Sequence, residues 1–170
     1  MIVRDRLLFL KYALPCARTL VKRGNVSQEY VDKLVDIVAD GNVPEEDAEK
    51  MFKIATAMCN AIAVRMNKDE IDDDVIRKYF LTEHSPVVED RYKLMKDFNP
   101  VDCKTYSGKV VGLEEDSAAV KTRLGTKEYR TAFAKDVAVG DIVAVHFDFI
   151  VEKISGELSE KMEELHEERN

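Results

Sequence analysis

Residues 98–113, FNPVDCKTYSGKVVGL, are where this chain changes character. Upstream, apolar residues recur three and four positions apart, the spacing of one helix face. From Tyr106 onward they come in short β-branched runs divided by turn residues, the pattern of strands. Asn99-Pro100 supplies the break, so a helical domain is expected over residues 1–99 and a barrel domain over residues 100–170. The predicted strands are Tyr106 to Leu113, Ala118 to Leu124, Glu128 to Ala134 and Ile142 to Glu152, with turns at Glu114-Glu115-Asp116, Gly125-Thr126 and Val139-Gly140-Asp141. Several short strands in so few residues cannot bury a flat sheet, and closure into a small OB-like β-barrel relieves the problem. After the barrel, Leu158, Met162 and Leu165 recur at helical spacing among charged residues, giving a helix with one apolar stripe. The expected class is therefore α+β: an N-terminal all-α helical array, then a small barrel with a C-terminal helix.

Working back from the break, four helices are predicted. The first runs from Arg4 to Arg23, kinked near Pro15 and stopped by Gly24-Asn25; Ser27 caps the second, which carries Val31, Leu34, Val35 and Ile37. Pro44 with Glu45, Glu46 and Asp47 reads as the first turn of a third helix, continuing through Met51, Phe52, Ile54, Ala55, Met58, Ile62 and Met66. A fourth, from Asp69 to Leu81, is separated by Pro86 from a short piece around Tyr92 to Met95.

Composition narrows the function. The chain has 170 residues and a formal net charge of −7. The part before Pro100 holds 16 basic against 18 acidic residues and the remainder 10 against 15, so neither half offers a basic stripe for phosphate backbones and nucleic acid is not the expected partner. The apolar run Met51 to Met66 contains Lys53, Asn60 and Arg65 and falls short of the ~20 apolar residues that span a bilayer. Leu7 to Cys16 is interrupted by Lys11, with Asp5 where an export signal is basic, so a cytoplasmic protein is expected. Cys16, Cys59 and Cys103 are odd in number and widely spaced, which fits a reducing compartment better than a disulfide framework. Paired carboxylates, a nucleophile elbow and a phosphate loop are not discernible, and no enzyme is expected.

Two blocks then carry a resemblance. Cys103-Lys-Thr-Tyr-Ser-Gly108-Lys109-Val110-Val111 is similar to the opening of the HypC/HupF family of hydrogenase maturation chaperones, in which a cysteine is followed after four residues by Gly-Lys-Val. Val139-Gly140-Asp141-Ile142-Val143-Ala144-Val145-His146, followed by Phe149-Ile150-Val151-Glu152-Lys153-Ile154, resembles the family's second signature. This chain departs from the pattern in four ways: its cysteine is internal, Ser107 stands where the family has proline, Lys104 where it has an apolar residue, and Asp148 replaces a small residue. The resemblance implies an accessory chaperone for assembly of the [NiFe]-hydrogenase metal centre. It implies that iron passes transiently through a site at Cys103 and His146, with no cofactor permanently bound. The implied partners are a HypD-like maturation protein and the hydrogenase large-subunit precursor; the helical domain would add a partner surface or a homodimer interface. Gly108, Gly140 and Asp141 belong to the signatures as supporting residues.

Chemistry and its plainer alternatives stand side by side here. A thiolate suits soft low-valent iron, and Cys103 sits in a polar stretch expected to leave it exposed; equally, it could be a bystander in a linker. His146 falls by alternation on one strand face with Ile142, Ala144 and Asp148, so Asp148 could orient the ring; equally, His146 could be a half-buried histidine on a backbone carbonyl. His84 is read as a solvated helix end, and Cys16 and Cys59 as core. The rival for the whole barrel is an OB- or SH3-like binding module with no metal role, using Lys109, Lys121, Arg123, Lys127 and Arg130 as a basic face with Tyr129 stacking on a base.

Overall fold

The structure, a computed structural model, describes residues 1–92 and 99–168. The chain divides into two compact units, Met1–Phe80 and Leu81–Asn170. The first is helical. Its α1 (Arg6–Ala13), α2 (Ala17–Lys22), α3 (Gln28–Ala39), α4 (Lys53–Arg65) and α5 (Asp73–Arg77) enclose fully buried Phe9, Leu10, Leu34, Ile62, Ile71 and Ile76. Tyr12 stacks on Phe80 with centroids 5.1 Å apart, and Phe9 meets the same ring edge-on at 5.9 Å. The kink expected at Pro15 is a 3-10 turn, Leu14–Cys16, between α1 and α2. Ser27 caps α3, its Oγ accepting from the Tyr30 amide at 3.2 Å.

Two helical expectations need correction. The third helix does not start at Pro44: a 3-10 turn, Ala48–Met51, comes first and α4 begins only at Lys53. Arg6 is the physical reason, because its guanidinium donates to the Glu46 carbonyl and pairs with the Glu49 carboxylate at 3.0 Å, holding that segment for tertiary contacts. Nor does Pro86 separate two pieces. A π-helical turn, Lys78–Glu83, continues from α5 into α6 (His84–Tyr92), and Pro86 lies in α6 just after that turn, where the hydrogen-bond register is already irregular. The rest of the predicted Tyr92 to Met95 piece lies outside the described residues.

In the second unit, α7 (Pro100–Cys103) is a single turn whose Asn99 cap accepts from the Val101 amide at 3.1 Å. Five strands follow: β1 (Thr105–Leu113), β2 (Ser117–Thr122), β3 (Gly125–Arg130), β4 (Ile142–His146) and β5 (Phe149–Lys153). They close a barrel in the order β1-β2-β3-β5-β4, sealed by a parallel bridge from Arg130 to Phe149. Val110, Val120, Val143, Val145 and Ile150 fill it, with Tyr106 and Tyr129 at its margins. α8 (Gly156–Glu167), capped by Ser155, lies on β1 and β4 and buries Met162 completely. The α+β reading holds. The fourth predicted strand, however, is two: the chain reverses after His146 through Phe147, held at φ 53°. A non-glycine residue with positive φ is not signalled by the sequence, so alternation alone runs β4 and β5 together.

Among the described residues, no helix is long and apolar enough to cross a membrane.

Candidate functional site

The two signature blocks are neighbouring strands. β1 pairs antiparallel with β4 in the register Thr105 to His146, Tyr106 to Val145, Ser107 to Ala144 and Gly108 to Val143. Gly108 is also paired on its other edge, to Thr122, and a Cβ there would stand 2.6 Å from Val120 Cγ1 and 2.9 Å from the Lys121 carbonyl oxygen. The signature glycine thus lets β2 cross β1 closely. Gly140 turns at φ 99°, its amide donating to the Val110 carbonyl at 2.8 Å, and the Asp141 carboxylate accepts from the Ala138 amide at 2.9 Å. These three residues build the β1–β4 seam that brings Cys103, just before β1, beside His146 at the end of β4.

His146 is 0% exposed, and its Nε2 lies 2.9 Å from the backbone carbonyl of Cys103. A carbonyl only accepts, so Nε2 carries the proton and the lone pair is on Nδ1, the tautomer that metal-binding histidines show when the other nitrogen is held by a carbonyl. Cys103 therefore orients, through its main chain, the ring that stands beside its sulfur. Cys103 is 3% exposed, which corrects the expectation of an exposed thiol. The single turn of α7 sinks it, and the turn is fastened by the Tyr106 hydroxyl donating to the Val101 carbonyl at 3.0 Å and by the ion pair of Lys104 with Glu89. Asp148 lies in the β4–β5 turn, where its carbonyl accepts from the Arg130 amide at 2.7 Å, and the strand alternation that was to place it on His146's face stops short of it.

His84, read from sequence as a solvated helix end, is instead 5% exposed at the start of α6. Its ring meets that of His146 edge-on, centroids 5.2 Å apart and 78° between planes, and it shares a side-chain hydrogen bond with Cys103. The ligand atoms of His84, Cys103 and His146 all lie within 4.8 Å of one another. Burial, the largest cause, pushes the His84 pKa down; the hydrogen bond to Cys103 opposes this and the neighbouring His146 adds to it. The ring is thereby kept neutral, the form that binds metals. Its signal was hidden because its partners are far along the chain, at positions 103 and 146.

α8 braces the same strand. Ser107 donates to Glu163 at 2.9 Å, and His166 stacks on Tyr106 at 5.0 Å with its Nε2 3.2 Å from the Thr105 carbonyl. Burial, first among its causes, raises the Tyr106 pKa to about 12.

One thiol and two imidazoles are a donor set for borderline and soft ions, with zinc, iron and cobalt all suited. Around a tetrahedral ion with bonds of about 2.0–2.3 Å, ligand atoms stand roughly 3.3–3.6 Å apart. From separations of at most 4.8 Å the ligand atoms need to close by no more than about 1.5 Å, within reach of ring and thiol rotation. The residues fit a metal ion. No curated protein matches the chain. Residues 103–166, the barrel and its C-terminal helix, match the HupF/HypC family.

Proposed function

We propose that this chain is a HypC-like accessory chaperone, not an enzyme, which receives iron bearing its diatomic ligands at Cys103 and passes it on through a HypD-like partner toward the hydrogenase large-subunit precursor. The observation that carries the reading is the family match over residues 103–166 together with the convergence of its two signature residues, Cys103 and His146, at one end of the barrel. In this account iron is cargo. The Cys103 thiol loses its proton as sulfur bonds the metal, and His146, oriented by the Cys103 carbonyl, supplies a second donor or takes up that proton. Because Cys103 is buried, transfer requires α7 to lift from α6, which breaks the Lys104–Glu89 pair. Docking of the partner supplies that opening.

The binding-module rival loses its main support. Tyr129, offered as the base-stacking aromatic, is buried at the barrel margin, and Arg130 is engaged over the Phe149 ring at 4.5 Å. The test is anaerobic co-purification of the full chain with a HypD-type partner. Cys103→Ser should lose co-purifying iron and weaken partner capture, while Cys59→Ser, altered inside α4, should keep both in whatever protein folds. Equal iron and equal capture by wild type and Cys103→Ser would defeat the reading.

A further inference from the structure

We propose that His84 is a third metal ligand, so that His84, Cys103 and His146 form a two-imidazole, one-thiolate site for a divalent ion. The inference rests on the reading of Cys103 and His146 as ligands and extends it. His84 lies outside residues 103–166, so nothing in the family match assigns it a role.

Three observations converge on it. His84 is buried on the first residue of α6, immediately after a π-helical turn, an irregularity whose extra residue redirects the side chains that follow and that recurs at functional sites. Its ring stands edge-on to His146 and hydrogen-bonded to Cys103, with all three ligand atoms inside 4.8 Å. Burying two imidazoles and a thiol together removes three polar groups from water, a cost that a bound ion offsets. A simple core pair would be served as well by apolar residues. With two donors, an ion would depend on ligands from a partner; a third from this chain lessens that dependence. Binding is balanced by release of the Cys103 thiol proton to solvent, the imidazoles entering neutral and no electron being transferred.

Cobalt(II) is the probe, added anaerobically to the full, chelator-treated chain. Absorption should show thiolate-to-cobalt charge transfer and intense d–d bands of low coordination number. His84→Ala should weaken cobalt binding by about tenfold or more, and His84→Gln, which keeps a polar group in place, should do the same. X-ray absorption of the cobalt-loaded wild type should show two imidazoles with sulfur, a readout that stands even if both His84 variants misfold. One imidazole on cobalt, or wild-type affinity in folded His84 variants, overturns the proposal. If Cys103→Ser loses cobalt while folded His84→Ala keeps it, the third ligand fails and the role of Cys103 stands. If wild type binds no cobalt, or Cys103→Ser binds it equally, both fail.

Discussion

Replacing Gly108 with alanine separates what the first signature does for the fold from what it does for the site. The added Cβ would meet Val120 Cγ1 at 2.6 Å, the Lys121 carbonyl oxygen at 2.9 Å and Thr122 Cγ2 at 2.9 Å. The two methyl groups can turn aside at modest cost. The carbonyl cannot, because it belongs to a strand paired with β1 on one side and β3 on the other. Forcing a methyl into a well-packed interior costs about 1–3 kcal/mol, and a rigid neighbour puts this case near the upper end, at about 3 kcal/mol. In a unit the size of Leu81–Asn170 each kcal/mol moves the melting temperature by about 4–8 °C, so a drop of roughly 12–24 °C is expected by circular dichroism. Gly112→Ala is the internal control: its Cβ would find only Ala119 Cβ, at 3.5 Å, and should cost less than about 0.5 kcal/mol. Equal melting temperatures for the two glycine variants would refute the close-crossing argument.

Further expectations concern the elements around the site. Met162→Ala, emptying the fully buried stripe of α8, should cost about 2–4 kcal/mol in urea unfolding; a loss under 1 kcal/mol would mean α8 is not packed as described. Tyr106 titrates at about 12 when folded against about 10 unfolded, so its contribution is complete below pH 10 and lost as pH rises through 12. That contribution is on the order of 2 kcal/mol, and Tyr106→Phe should flatten part of the alkaline decline, leaving the part due to Tyr129, which burial shifts in the same direction. Glu89→Gln removes the ion pair that fastens α7, a contact worth up to about 1 kcal/mol, and should speed alkylation of Cys103 by at most about fivefold; an unchanged rate would show that this pair does not guard the thiol.

How far the sequence could be read depended on whether each decision was local. The β1 and β4 blocks were legible because valine-rich alternation and the Gly140-Asp141 turn are set by neighbouring residues, and the same holds for the Ser27 and Ser155 caps. The α4 start was missed because Arg6, forty positions away, engages the Glu46 carbonyl. Pro86 does not end the helix because the π-helical turn before it has already shifted the hydrogen-bond register there. At the site, Cys103 and His146 were found through their signatures. His84 was not, since a histidine before Ser85-Pro86 looks like a solvated end until the fold sets it against His146. The burial of Cys103 also went unseen: a polar sequence around a cysteine describes its neighbours in the chain, not those brought by α6 and β4.

The central claim is that Cys103 carries hydrogenase-type iron, and infrared spectroscopy of the anaerobically purified complex with a HypD-type partner tests it most directly. Iron bearing cyanide and carbon monoxide has stretching bands in a region otherwise clear of protein absorption. The account predicts those bands in the wild-type complex and their loss in Cys103→Ser, with the folded variant's circular dichroism unchanged. Bands of equal intensity in both proteins, or none in the wild type while the partner is bound, would contradict it.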